Sequence, residues 1–141
     1  MEGEMNAFNE SVIEEFRANN GKVGGPFEGR DNMVLITTTG AKSGRSVTNP
    51  LVYVPDTDRI VLIASNGGAD KHPAWYHNLR ANPQLTIELG TETYTGKAEF
   101  LTGPEAEDLY NRMITLIPVF AEYREKTTRA IPVVAVHRET T

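Results

Sequence analysis

The segment Met33–Ser65, MVLITTTGAKSGRSVTNPLVYVPDTDRIVLIAS, decides the fold. Met33 to Thr38 is short and rich in aliphatic and β-branched residues, the composition of a strand. Thr39 to Ser46 is a polar turn with two glycines, and Val47 to Val54 returns as a second strand. Pro55-Asp56-Thr57-Asp58 makes a tight connection before a third strand, Arg59 to Ser65. Links this short join antiparallel strands, because a parallel pair needs a crossover of about a dozen residues or more.

The flanking sequence extends this pattern. Met5 to Asn19 predicts an amphipathic helix, with Met5, Phe8, Val12 and Phe16 at helical spacing and acidic residues between them. Gly21 to Gly29, with four glycines and one proline, predicts a loop. Asn66 to His72 predicts another loop, and Pro73 opens a short helix that stops near Asn82, before Pro83. Leu85 to Leu89 and Thr93 to Leu101 pair across Gly90-Thr91-Glu92. Thr102-Gly103-Pro104-Glu105 predicts a capping box, followed by a helix with Ala106, Leu109, Tyr110, Met113, Ile114 and Ile117 on one face. Pro118 ends or interrupts that helix, Tyr123 to Arg129 predicts a further helical turn, and Pro132 to His137 predicts the last strand. Hairpin-connected strands with few helices exclude a doubly wound parallel sheet. The expectation is an α+β, mainly β fold: one domain over residues 1–141, a small barrel of about six mostly antiparallel strands with packed helices, residues 1–20 carrying the N-terminal helix.

Composition narrows the chemistry. With no cysteine, the chain has no disulfide, thiolate zinc site or cysteine nucleophile, and a reducing cytoplasm suits it. The net charge of −5 argues against nucleic acid, so any anion must be held by a local cluster of charge. The acidic start MEGEMNAFNE lacks the features of a signal peptide, and no apolar run spans a bilayer; membrane contact is expected to be peripheral at most. Neither HExxH nor GxSxG occurs, and His72, His77 and His137 are not at ligand spacing, so no metal site is expected.

Two loops carry the candidate chemistry. Thr37 to Ser46 joins two strands and offers the cations of Lys42 and Arg45, the hydroxyl of Ser43, and backbone N–H groups freed by Gly40 and Gly44. This is an inventory for gripping phosphate or carboxylate, although the same residues also make an ordinary polar hairpin turn. It is not a Walker loop, since a strand follows where a helix is required. In the second, Ala64-Ser65-Asn66-Gly67-Gly68-Ala69-Asp70-Lys71, small residues let a planar ligand approach the backbone, and Lys71 adds a charge. Trp75-Tyr76 on the short helix reads by spacing as core or as a cofactor wall. Tyr123 is a candidate hydrogen-bond donor to a carbonyl or nitro oxygen as charge builds there.

Together these stretches resemble the deazaflavin-dependent nitroreductase family of actinobacteria. The carriers are Thr37-Thr38-Thr39-Gly40-Ala41-Lys42-Ser43-Gly44, Asn49-Pro50-Leu51, Ala64-Ser65, the run from Pro73-Ala74-Trp75-Tyr76 to Asn82-Pro83, and Arg129-Ala130-Ile131-Pro132-Val133-Val134. The resemblance implies a flavin-reductase-like split barrel that binds coenzyme F420, an 8-hydroxy-5-deazaflavin, and passes hydride to a quinone or nitro-aromatic acceptor, as a monomer or homodimer. It implies that Lys42, Ser43, Gly44 and Arg45 meet the anionic tail, and that the stretch from Ala64, Ser65, Asn66 and Gly67 to Lys71 lines the deazaflavin. Asn49, Leu51, Trp75 and Tyr76 would shape the pocket, while Ser65 and Tyr123 would face the acceptor. Ala41 stands where relatives carry a basic residue, and Ile117 and Phe120 where they carry tyrosines. An FMN-dependent split-barrel reductase or oxidase, or a non-catalytic cofactor- or haem-binding barrel, would share the anion loop.

Overall fold

Short polar links between apolar runs leave antiparallel pairing as the local way to satisfy strand amides, and the chain follows it. The computed structural model describes residues 7–19 and 32–139. Its elements are α1 (Ala7–Ala18), β1 (Met33–Thr39), β2 (Ser46–Val52), β3 (Val54–Asp56), β4 (Arg59–Ile63), α2 (Ala74–Ala81), β5 (Gln84–Leu89), β6 (Glu92–Leu101), α3 (Gly103–Leu116), α4 (Val119–Lys126) and β7 (Val133–Arg138). Met5 and the loop expected from Gly21 to Gly29 lie outside the described residues. The strands form one sheet in the order β2-β1-β5-β6-β7-β4-β3, and every pairing is antiparallel. Among the described residues no helix is long and apolar enough to cross a membrane.

The strands at the two ends of that order, β2 and β3, are separated in the chain by Tyr53 alone. The sheet therefore curls into a split barrel whose edges are joined through this residue. Tyr53 N–H donates to Asn32 O (2.9 Å), the next residue in the β1–β2 register. The strand expected from Val47 to Val54 is thus bent into two, and the six expected strands become seven. Pro50 is tolerated inside β2 because that strand pairs only with β1 and needs no second row of donors.

Alternate side chains of the buried strands feed different cores. Val34 and Ile36 of β1, Ile60 and Leu62 of β4, and Val134 and Val136 of β7 fill the barrel interior with Trp75, Tyr76 and Leu79 of α2. The opposite face of β1, Met33 and Leu35, packs on Val12, Ile13 and Phe16 of α1. Val61 and Ile63 with Val133 and Ala135 pack on Leu109, Tyr110, Met113, Ile117 and Phe120 of α3 and α4. This two-sided burial explains why Met33–Ile36 and Val133–Val136 are uninterrupted apolar runs without polar alternation.

Two local expectations are corrected. Thr102 precedes α3 but its side chain makes no capping hydrogen bond. The last helix begins at Val119 and ends at Lys126, so the residues from Thr127 to Arg129 are not helical. Pro118 allows this early restart because its missing N–H is not needed at a helix start.

Gly96 sits in β6 between β5 and β7. A Cβ there would lie 2.6 Å from Val136 Cγ1 and 3.2 Å from His137 O. Gly96→Ala is therefore expected to destabilise the barrel by roughly 1–3 kcal/mol through overpacking, measured as a lower urea midpoint at unchanged slope.

Candidate functional site

A cleft of about 430 Å³ opens between β2, the loop after β4, the start of α2, and the α3–α4 corner. Asn49, Leu51, Ser65, Asn66, Gly67, Trp75 and Tyr123 line it, so seven of the expected site residues are brought together. Its remaining walls are apolar and include Ile63, Ile117, Val119 and Phe120. Among the described residues, the side chains of Asn49, Ser65 and Tyr123 have no hydrogen-bond partner within the protein. Three polar groups converging on an apolar hollow is the usual constitution of a small-molecule site. The Tyr123 ring packs edge-on against Phe120 at 5.1 Å, which fixes where its hydroxyl stands.

The other expected residues lie elsewhere. Lys42, Ser43, Gly44 and Arg45 form the exposed tip of the β1–β2 hairpin. Four of the amides expected to be open there are already used, three of them within the loop. Gly40 N–H donates to Arg45 O (2.7 Å), Gly44 N–H to Gly40 O (2.9 Å) and Arg45 N–H to Ser43 Oγ (3.2 Å). Ala41 N–H donates to Asn78 Oδ1 (2.9 Å). What the tip presents outward is therefore side-chain charge. Gly44 makes the turn possible by adopting φ +71°. Ala64 is fully buried and Lys71 is exposed outside the cleft. Tyr76, next to Trp75 on α2, faces a different hollow.

Helix α2 links the tip to the cleft. Trp75 lines the cleft, and one turn on, buried Asn78 accepts from Ala41 and donates through Nδ2 to Thr38 Oγ1 (3.0 Å). Along β2, Arg45 and Asn49 are four residues apart, or ~13 Å at the rise of an extended strand. Sequence reading missed Asn78. The one signal was a polar residue between Trp75 and Leu79 on the apolar face of a helix.

It also missed the role of Arg129. This side chain donates to Ala69 O through Nε (2.8 Å), to Ser65 O through Nη2 (2.8 Å), and to Ala64 O through Nη1 (3.3 Å). It thereby fixes the loop that floors the cleft. Gly68 lets this loop press on α4, since a Cβ there would lie 3.0 Å from the Tyr123 backbone. Asp70 Oδ1 accepts from Thr127 Oγ1 (2.9 Å) on the same seam.

Arg129 Nη1 also donates to His72 Nδ1 (2.9 Å). A guanidinium only donates, so Nδ1 is the acceptor and the ring is neutral with its proton on Nε2. Burial holds the His72 pKa below the ordinary histidine value, and the charges of Arg129, His77 and Arg80 lower it further. The folded ring resists a proton that the unfolded chain accepts, so stability is lost as pH falls from about 6.5 toward the lowered value. His72→Gln keeps an acceptor that does not titrate. Between about pH 7.5 and about pH 5.5, the urea midpoint of the wild type should fall further than that of His72→Gln. Parallel midpoints would remove His72 from the clamp.

The model of a family described as F420H(2)-dependent quinone reductase matches residues 9–138. An F420H(2)-dependent quinone reductase of Mycobacterium tuberculosis (strain ATCC 25618 / H37Rv) is 34% identical over 128 residues, covering 87% of this chain and 85% of the relative. Among solved structures, an F420-H2 dependent reductase (FDR-A) superposes with a TM-score of 0.70 at 40% identity, over 75% of this chain and 94% of that one. A domain-swapped dimer superposes with a TM-score of 0.72 at 36% identity, over 91% of this chain and 93% of that one. With a split barrel, a polar-tipped cleft and a family match over nearly its whole length, the chain belongs to the F420H(2)-dependent quinone reductase family.

Proposed function

We propose that this chain is an oxidoreductase that uses reduced F420 to reduce quinones, with nitro-aromatic compounds as a second acceptor class. The observation that carries the reading is the pairing of an apolar cleft with a charged hairpin tip ~13 Å along the same strand. That layout suits a long ligand with a flat ring at one end and anionic groups at the other. Family membership supports F420 as that ligand.

The residues present fit this coenzyme. Trp75, Leu51 and Gly67 would bound its ring in the cleft, and Lys42 and Arg45 would meet the phosphate and carboxylates of its tail. When bound in reduced form, F420 supplies the hydride, so the protein requires no nucleophile or metal of its own. The protein orients the acceptor, excludes water and places charge. Ile117, Val119 and Phe120 bound the acceptor space with apolar surface. Tyr123 donates a hydrogen bond to the acceptor oxygen as negative charge develops, and Ser65 holds a second hydroxyl at the loop. One phenol amid apolar walls favours a quinone, which needs a donor at a carbonyl and little else polar around its ring. The domain-swapped relative is consistent with a homodimer.

The direct test is oxidation of reduced F420 by purified protein on addition of menadione, followed by the return of oxidised deazaflavin absorbance. Acceptor-dependent turnover is expected, together with tighter binding of oxidised F420 than of FMN. A rate no higher than the protein-free mixture would defeat the proposal. Tyr123→Phe is expected to lower that turnover by about 10–100-fold while leaving F420 affinity near the wild-type value. Equal turnover would give the hydrogen bond to Ser65 or water. Lys42 and Arg45 are exposed, so solvent screening limits each contact to about 0–1 kcal/mol. Lys42→Ala combined with Arg45→Ala should weaken F420 roughly tenfold at low salt and less at high salt. An unchanged titration would place the tail away from the hairpin.

A further inference from the structure

A larger hollow, of about 700 Å³, lies against the other side of the wall formed by α2 and the loop after β4, and it shares no lining residue with the cleft. Tyr76, Phe100 and Ile131 give it an apolar floor. Across that floor lies Arg80. Its guanidinium stacks on Phe100, 4.1 Å from the ring centroid, and its Nε donates to Tyr76 Oη (3.0 Å). The two terminal nitrogens, with their four N–H groups, have no partner within the protein among the described residues.

Charge around this guanidinium is unbalanced. Among the described residues no carboxylate pairs with Arg80 or with Arg129, which also lines the hollow. Arg129 is occupied by three carbonyls and His72. Glu107, the acid that lines the hollow, is held by both terminal nitrogens of Arg124 (2.9 and 3.2 Å). In a chain of net charge −5, a guanidinium laid on an aromatic ring without an acidic partner requires an explanation. An arginine held flat on a ring has its fork oriented in advance, and the fork matches a carboxylate through two parallel hydrogen bonds. Its desolvated underside also strengthens attraction to an anion.

We propose that this hollow is a binding site for a small aromatic carboxylate, its carboxylate on the fork of Arg80 and its flat body against the Phe100–Ile131 floor. The site is independent of the cofactor cleft and does not rest on the F420 reading. Ligands of this class fall within the volume available.

The probe is 2-naphthoate, titrated calorimetrically into the full-length chain, with 2-naphthalenemethanol as its uncharged analogue. Saturable one-to-one binding of the carboxylate is expected, with the alcohol at least about tenfold weaker. Arg80→Gln, at an exposed position and with its fold checked by circular dichroism, should weaken 2-naphthoate by about tenfold or more. Amide shift changes on adding 2-naphthoate should gather at Phe100, Gly103 and Ile131. Three outcomes would each overturn the proposal. They are equal affinity for the two probes, equal affinity of the Arg80→Gln chain, and shift changes gathered at Leu51, Ser65 and Trp75 in the cleft.

Discussion

One guanidinium organises the functional half of this molecule. The loop after β4 leaves the barrel at Ala64 and brings three carbonyls, those of Ala64, Ser65 and Ala69, toward one point. Carbonyl oxygens so close together repel unless a cation stands among them. Arg129 supplies that cation, and neutral His72 completes its coordination. Hydrogen bonds to a charged group contribute roughly 1.5–3 kcal/mol each where solvent is partly excluded. A loop of small residues, two of them consecutive glycines, would otherwise have many backbone states open to it. With the loop pinned, Ser65 and Tyr123 line the same cleft, and Gly68 allows the loop and α4 to approach closely.

The hairpin tip follows a different electrostatic logic. A nest of free amides would hold an anion by fixed dipoles. Here the amides of Gly40, Ala41, Gly44 and Arg45 are already used, which shifts the tip's anion-binding capacity toward side chains in water. Those contacts are weak singly and screened by salt. Affinity for a long coenzyme would then come mainly from burying its ring in the cleft, with the tip setting the direction in which the tail lies. Asn78 joins the two by holding the tip to the helix that carries Trp75. As a buried polar side chain with both ends satisfied, it fixes that geometry at little net cost.

The strands were legible because their evidence is local. The unbroken apolar runs at Met33–Ile36 and Ile60–Ile63 and the short polar links between strands settle pairing and hand the chain a hairpin order. The bend at Tyr53 was not legible, since it follows from closing the sheet and not from any feature of residues 47–54. The cleft was legible where its residues lie on or next to the strand and helix that the motifs mark, as for Asn49, Leu51, Ser65 and Trp75. Asn78 and Arg129 escaped because their partners lie 37 to 65 residues away in the chain. Nothing in the neighbourhood of Arg129 announces which carbonyls it will meet. Likewise Thr102 has the residue type of a cap and stands at the cap position, but its side chain makes no capping hydrogen bond.

Trp75 and Tyr76 show how adjacent residues of one type acquire separate roles. Successive residues on a helix point about 100° apart, so a single helix lying at the end of the barrel can line two hollows. Trp75 faces the cleft and Tyr76 the larger hollow, and both are buried enough to belong to the common core. The wall between the hollows is then α2 together with the loop that Arg129 holds. Polar contacts of Arg129, His72 and Arg80 brace that wall on the side of the larger hollow, beside the packed core side chains Trp75, Tyr76 and Leu79.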